Sequence, residues 1–140
     1  MATEKVSIEI NLSSKYWDVV PRAKVKLDSV VLFQGEISEP VCIKHELALV
    51  EGDHMIEVIL TNKDGRRDTI VEDGKIVKDM LLVVDSILLD EIDLGYLITS
   101  KSSYDTDDGL NHENMTHLGW NGSWKMNFSS PIYMWLLEHL

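Results

Sequence analysis

Two histidines in the last third of the chain are the first candidates for metal chemistry. They stand in the segment His112-Glu113-Asn114-Met115-Thr116-His117. A zinc-binding helix of the protease type needs two histidines four residues apart on one helix face, with a glutamate beside the first. Here the second histidine is five residues on, about 140° away around the helix. The spacing argues against zinc, and we expect an exposed loop here.

The acidic run that starts at Asp105 begins like a calcium-binding loop. Loops of the EF-hand type need oxygen ligands at positions 1, 3 and 5, glycine at position 6 and glutamate at position 12. Counted from Asp105, positions 5, 6 and 12 hold Gly109, Leu110 and Thr116. We therefore expect a solvated acidic loop, with weak adventitious calcium binding as the open alternative.

No set of residues predicts an enzyme. There is no glycine-rich phosphate loop, no nucleophile elbow and no Cys–His arrangement. Close pairs of carboxylates are unavoidable with 24 acidic residues among 140, and none stands out. Cys42, the single cysteine, lies in the apolar stretch Val41-Cys42-Ile43 and is predicted to be a buried small side chain rather than a reactive thiol. We expect a non-enzymatic protein without a cofactor or a resident metal.

Aromatic side chains near the C-terminus are the best candidates for contact with a partner or a glycan. The four candidates are Trp120, Trp124, Tyr133 and Trp135. On a β-sandwich such rings can form a sugar platform or a protein-contact surface, and they can equally be core. Alternation of Trp124 with Met126 and Phe128 favours the core for Trp124. Trp120 lies between two glycines, where exposure and burial stay open.

Short β-strands separated by turn residues dominate the sequence. The Asp73-Gly74 pair predicts a hairpin, and Asp64-Gly65 predicts another turn. Further along, the pattern indicates a short strand at Leu94 to Thr99 and a long exposed loop from Ser100 to Thr116. Period-2 or apolar runs predict strands at Lys5 to Leu12, Ala23 to Leu27, Val30 to Phe33, Ile43 to Val50, His54 to Thr61 and Met80 to Leu89, the last buried on both faces.

The predicted fold class is all-β, an antiparallel two-sheet β-sandwich of jelly-roll type. Residues 1–140 would form one domain, with the aromatic segment 118–140 docked on the sandwich or on a neighbouring subunit. The end of that segment, Ile132 to Leu140, is predicted as a strand. A helix is the alternative, because Ile132, Trp135, Leu136 and Leu140 also fit helical spacing.

Charge excludes several classes of partner. There are 13 Lys and Arg against 24 Asp and Glu, a formal net charge of -11. Such a surface repels phosphate backbones and anionic lipids, so nucleic-acid and membrane binding are not expected. The first ten residues lack the basic and apolar regions of a signal peptide, so we expect synthesis in a cytoplasm.

One resemblance covers residues 52–95. The stretches GDHMIEVILTNKDG and DMLLVVDSILLDEIDLG are similar to the core of the calcium-dependent xylan-binding modules. That family has a Gly-x-His-x-Ile-x-Val-x-Phe-Thr-Asn strand, a loop, and then Asp-x-Asn-Leu-x-Val-Asp-x-Ile. The matching positions are Gly52, His54, Ile56, Val58, Thr61, Asn62, Asp79, Leu82, Val84, Asp85 and Ile87.

This resemblance implies a β-sandwich fold, but it does not carry over the calcium site. The family's ligands come largely from the loop and from the Asp-x-Asn pair. Asp79 matches the aspartate, whereas Leu81 stands in place of the asparagine. An apolar side chain cannot coordinate calcium.

A second resemblance covers most of the chain. The stretches KYWDVVPRAKVKLDSVVLFQGEI and LGWNGSWKMNFSSPIYMWLLEHL resemble small β-rich virion proteins of long-tailed marine bacteriophages, especially those that infect cyanobacteria. In such proteins a Pro-x-x-x-Val-x-Leu-Asp segment opens the sandwich, and Pro21, Val25, Leu27 and Asp28 fit it.

The second resemblance implies a structural or accessory subunit of the phage particle, such as a decoration, neck, tail or baseplate protein located in the virion. Its partners would be other virion proteins, with self-association possible because a sandwich must protect its edge strands. The alternative function is that of a carbohydrate-binding module for a cell-surface or plant-type glycan.

Overall fold

The computed structural model describes residues 2–64 and 69–140. The strands, in chain order, are β1 (Thr3–Lys15), β2 (Arg22–Leu27), β3 (Val30–Glu36), β4 (Val41–Val50), β5 (Gly52–Leu60), β6 (Ile70–Glu72), β7 (Lys75–Lys78), β8 (Leu81–Leu89), β9 (Ile92–Asp93), β10 (Ser102–Thr106), β11 (Asn111–Glu113), β12 (His117–Leu118) and β13 (Gly122–Ser130). The helices in this part of the chain are α1 (Leu97–Ser100) and α2 (Ile132–His139).

Two antiparallel sheets form the sandwich. The first has the order β12–β8–β1–β4, with β9 also paired to β8, and the second has the order β11–β10–β13–β5–β2–β3. Strands β6 and β7 make a separate hairpin. This arrangement confirms the all-β antiparallel sandwich predicted from the sequence. Within the described ranges, no helix has the length and hydropathy needed to cross a membrane.

The core lies between the sheets, and period-2 alternation explains which side chains enter it. Strand β1 turns every second residue inward, and β5 and β13 do the same from the opposite sheet. The fully or almost fully buried side chains of these three strands are Val6, Ile8, Ile10, Leu12, Ile56, Val58, Leu60, Trp124, Met126 and Phe128.

Strand β8 is buried on both faces only near its start, so the prediction of burial on both faces was right only in part. Leu82, Val83 and Val84 are all buried, whereas further along the strand Ser86 and Leu88 are only half-buried. The pairing with β1 then shifts after Asn11, so that Asp85 falls in the irregularity and faces solvent. Its carboxylate accepts a hydrogen bond from the Ser13 hydroxyl at 3.0 Å.

Turn predictions have mixed outcomes. The Asp73-Gly74 hairpin is confirmed, and both residues have positive φ (51° and 75°), as a type I′ turn requires. The Asp64-Gly65 turn lies partly outside the described residues.

Two predictions between positions 94 and 116 were wrong. Leu94 to Thr99 is not a strand and contains the short helix α1. The predicted loop from Ser100 to Thr116 contains β10 and β11, because Ser102, Tyr104 and Thr106 alternate inward and are all buried. Because two of the inward residues are polar, the period-2 alternation of this strand was not recognised in the sequence. The Ser102 hydroxyl finds a partner inside the protein, donating to the Thr99 carbonyl at 3.2 Å.

The burial predicted for Cys42 was also wrong. The thiol is exposed, because β4 is the edge strand of its sheet and turns Ile43 inward and Cys42 outward. An apolar neighbourhood in sequence does not imply a shared face on a strand, since adjacent side chains point to opposite sides.

The C-terminal segment is a helix, so the strand preferred for it was wrong. Buried side chains Ile132, Trp135 and Leu136 follow helical spacing and share one face. A carboxylate oxygen of Glu4, on β1, accepts hydrogen bonds from the Ile132 backbone N–H at 2.7 Å and the Ser130 hydroxyl at 2.6 Å. A negative charge there satisfies a free N–H and complements the positive end of the helix dipole.

The sandwich has two unlike ends. In the first sheet, Lys15 pairs with Leu81 where β8 begins, and in the second, Leu60 pairs with Gly122 where β13 begins. Residues 119–121 join β12 of one sheet to β13 of the other, so both edges belong to one end. We call this the loop end, formed by residues 16–21, 61–64, 79–80 and 119–121. The opposite end, formed by α2 with residues 28–29 and 90–91, is the helix end.

Candidate binding site at the loop end

The four predicted contact residues do not form one surface. Trp120 lies in the connection 119–121 at the loop end, with 37% of its surface exposed. Tyr133 lies on the outer face of α2 at the helix end, 56% exposed. Trp124 and Trp135 lie in the interior. Of the four, Trp120 and Tyr133 are therefore the two that are exposed, at opposite ends of the molecule.

Both interior tryptophans are fixed by their neighbours. Trp124 is in the core, as its alternation predicts, and its indole N–H donates to the Met115 carbonyl at 2.8 Å. Trp135 packs edge-on against Phe128, with ring centroids 6.2 Å apart. These rings hold β13 and α2 in place.

Trp17 is an aromatic residue at the loop end that was not predicted from the sequence. It lies in the connection between β1 and β2 and is 40% exposed. The ammonium of Lys78 lies 5.4 Å from its ring centroid, within the range of a cation–π contact. The available signal was the Tyr16-Trp17 pair placed directly after a strand and shortly before Pro21, where a ring has no core to enter.

The amide of Asn62 fixes the connection that carries Trp17. Its Nδ2 donates to the Val20 carbonyl at 2.9 Å, and its Oδ1 accepts from the Arg22 backbone N–H at 3.0 Å. The side chain thus pairs with the main chain much as a neighbouring strand does, just before β2 begins.

Lys63 and Asn121 fix the connection that carries Trp120. The Asn121 amide pairs with the Lys63 main chain, accepting from its N–H at 2.8 Å and donating to its carbonyl at 2.7 Å. The Lys63 ammonium donates to the Gly119 carbonyl at 2.5 Å. Both neighbours of Trp120 are therefore bound to one buried lysine, which leaves the indole on a rigid support.

Asp79 completes this arrangement. One oxygen of its carboxylate accepts from the Lys63 ammonium at 2.5 Å, the Thr69 hydroxyl at 2.7 Å and the Met80 backbone N–H at 2.8 Å. Partial burial favours the neutral acid, but the three donors outweigh it and lower the pKa of Asp79. The ionised form is the one that the site stabilises.

Close packing also shapes the start of β13. A Cβ on Gly122 would lie 2.3 Å from the Asp105 carbonyl oxygen and 2.8 Å from the Thr106 Cα, so only glycine fits. Beneath it, the Tyr104 hydroxyl is buried next to the main chain of Trp120. Burial raises the pKa of Tyr104 to about 12.

The two histidines that were considered as zinc ligands lie in different sheets. His112 lies on β11 of the second sheet, where its ring stands 6.0 Å from that of Tyr104, and His117 lies on β12 of the first. No helix carries either residue, because the segment between them passes from one sheet to the other.

The carboxylates of the acidic run bind neighbouring side chains. Asp105 accepts from the Asn111 amide at 2.5 Å and pairs with Lys125, and Asp108 accepts from the Thr106 hydroxyl at 2.5 Å. Hydrogen bonds from Asn111 and Thr106, respectively, lower the pKa values of Asp105 and Asp108. These contacts belong to a turn between β10 and β11.

Among residues 2–64 and 69–140, no group of three or more His, Cys, Asp or Glu side chains could hold a metal ion. Asp79 stands at the position that the xylan-binding family gives to a calcium ligand, yet here its carboxylate binds the ammonium of Lys63. A cation that is already present as a side chain repels a metal ion. The residues at the loop end therefore do not fit calcium.

Comparison with solved structures places the fold in a known class. The chain matches vCBM60 in complex with galactobiose, with a TM-score of 0.53 and 13% sequence identity over 86% of this chain and 98% of that one. It also matches a selenomethionine form of vCBM60, described in terms of a circular permutation that links two families of calcium-dependent carbohydrate-binding modules. That match has the same score and identity over 86% of this chain and 89% of the other.

At 13% identity these matches show the fold alone: a β-sandwich like that of non-catalytic carbohydrate-binding modules. No protein-family model and no curated protein matches the sequence. The sandwich predicted from residues 52–95 is thus confirmed as a fold.

Proposed function

We propose that this chain is a non-catalytic glycan-binding module and that it binds sugar at the loop end through Trp120, with Trp17 as a second ring. The observation that carries the proposal is the exposed Trp120 indole, held between two residues that Lys63 fixes. A flat aromatic face packs against the C–H face of a pyranose, and a preorganised ring loses little entropy on binding. The fold likeness to a module solved with galactobiose supports the same function.

Charge indicates the class of glycan. A net charge of -11 repels uronic acids and sulfated sugars, so the ligand is expected to be neutral. The Lys78 ammonium beside Trp17 supplies a hydrogen-bond donor that can fix a sugar's orientation.

The test compares aromatic residues at the two ends. A glycan array that includes galactobiose, neutral xylan and galactan fragments, and acidic controls identifies a ligand, and titration calorimetry measures its affinity. We expect Trp120→Ala to lose at least about tenfold in affinity, equivalent to about 1.4 kcal/mol, with the fold intact. Tyr133→Ala is the matched control and retains affinity. No binding to any glycan at high protein concentration, or equal affinity of Trp120→Ala and the parent, contradicts the proposal.

A second proposal is that the protein is a structural or accessory subunit of a phage particle, located in the virion. The supporting observation is the outer face of α2, where the apolar side chains Tyr133, Met134, Leu137 and Leu140 are exposed. A hollow of about 240 Å³ is lined by Tyr133, Leu137 and Leu140 together with Ile92 and Leu136. A neighbouring virion protein, or a second copy, would cover this face. Both roles are compatible in one molecule, because the two surfaces lie at opposite ends.

Mass spectrometry of purified particles tests the second proposal. Presence of the protein at a fixed copy number supports it, and absence from the particle removes it. Light scattering of the isolated chain at high concentration reports whether a stable free oligomer forms.

A further inference from the structure

The loop end contains an almost fully buried positive charge. Lys63 is only 5% exposed, although lysine is rarely buried unless its charge is paired. Its ammonium contacts three oxygens: Asp79 Oδ1 at 2.5 Å, the Gly119 carbonyl at 2.5 Å and the Met80 carbonyl at 3.0 Å. The three acceptors match the three N–H groups of an ammonium.

These oxygens converge from separate parts of the chain. Asp79 and Met80 precede β8, Gly119 follows β12, and Lys63 itself follows β5. One carboxylate and two main-chain carbonyls directed at one point form the type of oxygen set that binds hard divalent cations such as Ca²⁺. In this chain a side-chain cation occupies that point.

We propose that the Lys63 ammonium is a built-in substitute for a bound divalent cation. It joins the segments that precede β8 and β13 without a metal, and it excludes calcium from the point where the three oxygens meet. One of the two similar structures is described in terms of calcium-dependent modules, whereas in the described part of this loop end the cation is the Lys63 ammonium. This inference does not depend on glycan binding.

Removal of the ammonium, on this view, leaves a cavity with one negative charge and two free carbonyls. Thermal unfolding is measured for the parent, Lys63→Ala and Lys63→Met, each with EDTA, with millimolar CaCl₂ and with propylammonium chloride. Propylammonium is the part of the lysine side chain that Lys63→Ala removes. The parent should show the same Tm in EDTA and in calcium.

Lys63→Ala should lose about 10 °C in Tm in EDTA, because breaking a buried ion pair leaves its partner unpaired. Calcium or propylammonium should restore much of the loss. Lys63→Met is the matched control: its side chain fills the space without charge, so its Tm should fall and neither cation should restore it. In the double variant Lys63→Ala/Asp79→Asn, which lacks the carboxylate, calcium should have no effect.

Three results overturn the proposal. The first is a Tm of the parent that rises in calcium, when the Tm of Asp79→Asn does not. The others are an unchanged Tm for Lys63→Ala, and a lowered Tm of Lys63→Ala that neither calcium nor propylammonium restores. If Lys63→Ala is insoluble as expressed, it is refolded from urea with and without calcium. Recovery only with calcium supports the proposal, and equal failure in both overturns it.

Discussion

The helix end and the loop end of this sandwich are closed by opposite means. At the helix end, α2 covers the core with apolar side chains and leaves one carboxylate to cap its first turn. At the loop end, side-chain amides and an ammonium bind main-chain atoms, and the aromatic rings stay outside. Apolar packing therefore stabilises the helix end, whereas polar contacts to the main chain stabilise the loop end and hold its surface rings in fixed positions.

The largest expected effect is at the helix end. Trp135→Ala removes a buried ring that packs on Phe128, and such truncations destabilise by about 3–5 kcal/mol. Urea unfolding measures the change, with Leu137→Ala as the control because that side chain is 84% exposed on the same helix. Any glycan affinity of the folded variant should equal that of the parent. Equal stability of the two variants would contradict the stabilisation of this end by apolar packing.

A loss of about 2–3 kcal/mol is expected from Gly122→Ala at the loop end, because its Cβ would overlap backbone atoms that cannot move aside. Gly119→Ala is the matched control. Its Cβ would approach only a Leu81 methyl at 3.4 Å, and a side chain can adjust. Urea unfolding compares the two variants, and similar stability for both would show that β10 and β13 tolerate separation at this point.

Capping of α2 by Glu4 should contribute about 1–2 kcal/mol. Glu4→Ala removes the acceptor for both the Ile132 N–H and the Ser130 hydroxyl, whereas Glu4→Gln keeps an oxygen and loses only the charge. We expect Glu4→Ala to be the less stable variant. Hydrogen exchange of the first turn of α2 should rise in parallel, and unchanged exchange would mean that packing alone holds the helix.

The smallest expected effect is a pH dependence that differs between the ends. At the helix end, His54 has both ring nitrogens against acceptors, Asp28 Oδ2 at 2.8 Å and the Val50 carbonyl at 2.7 Å. Burial opposes the charge, but these two contacts outweigh it and raise the pKa of His54. This stabilisation is complete below the ordinary histidine pKa of about 6.5 and is lost as the pH rises through the raised value.

Asp79 at the loop end behaves in the opposite way. Its lowered pKa makes its contribution complete above the ordinary value of about 3.9, and it is lost as the pH falls through the lowered value. Urea midpoints measured across pH should therefore fall on both sides. His54→Gln should flatten the alkaline decline and Asp79→Asn the acid one. If His54→Gln instead flattened the acid decline, or Asp79→Asn the alkaline one, the assignment of each decline to its residue would be wrong.

Period-2 alternation predicted the sandwich because β1, β5 and β13 each bury every second side chain. The same rule failed at β10, where the inward residues include Ser102 and Thr106, which look like loop residues by composition. Whether Ile132 to Leu140 forms a strand or a helix could not be decided from the local sequence. Its spacing fits two structures, and its capping residue, Glu4, stands 128 positions away.

The candidate site was predicted only in part. Trp120 was identified because it stands between glycines, and Trp17 was not, although both are exposed. Nothing in the sequence marks Lys63 as buried, because its partners Asp79 and Gly119 lie 16 and 56 positions away. A lysine among polar neighbours is ordinarily a surface residue, and only the fold brings its acceptors together.

Most contacts made by Asn62, Lys63 and Asn121 at the loop end are to main-chain atoms. Main-chain atoms are the same whichever side chain is attached, so the exposed side chains at positions 17 and 120 can be exchanged while these contacts keep the path of the chain. The residues that fix the main-chain path are thus different from those that form the surface. The loop end can therefore serve as a scaffold on which the surface side chains vary. A library randomised at those positions, with the three supporting residues kept, should yield folded variants with altered recognition, and natural sequences can drift in specificity by the same route.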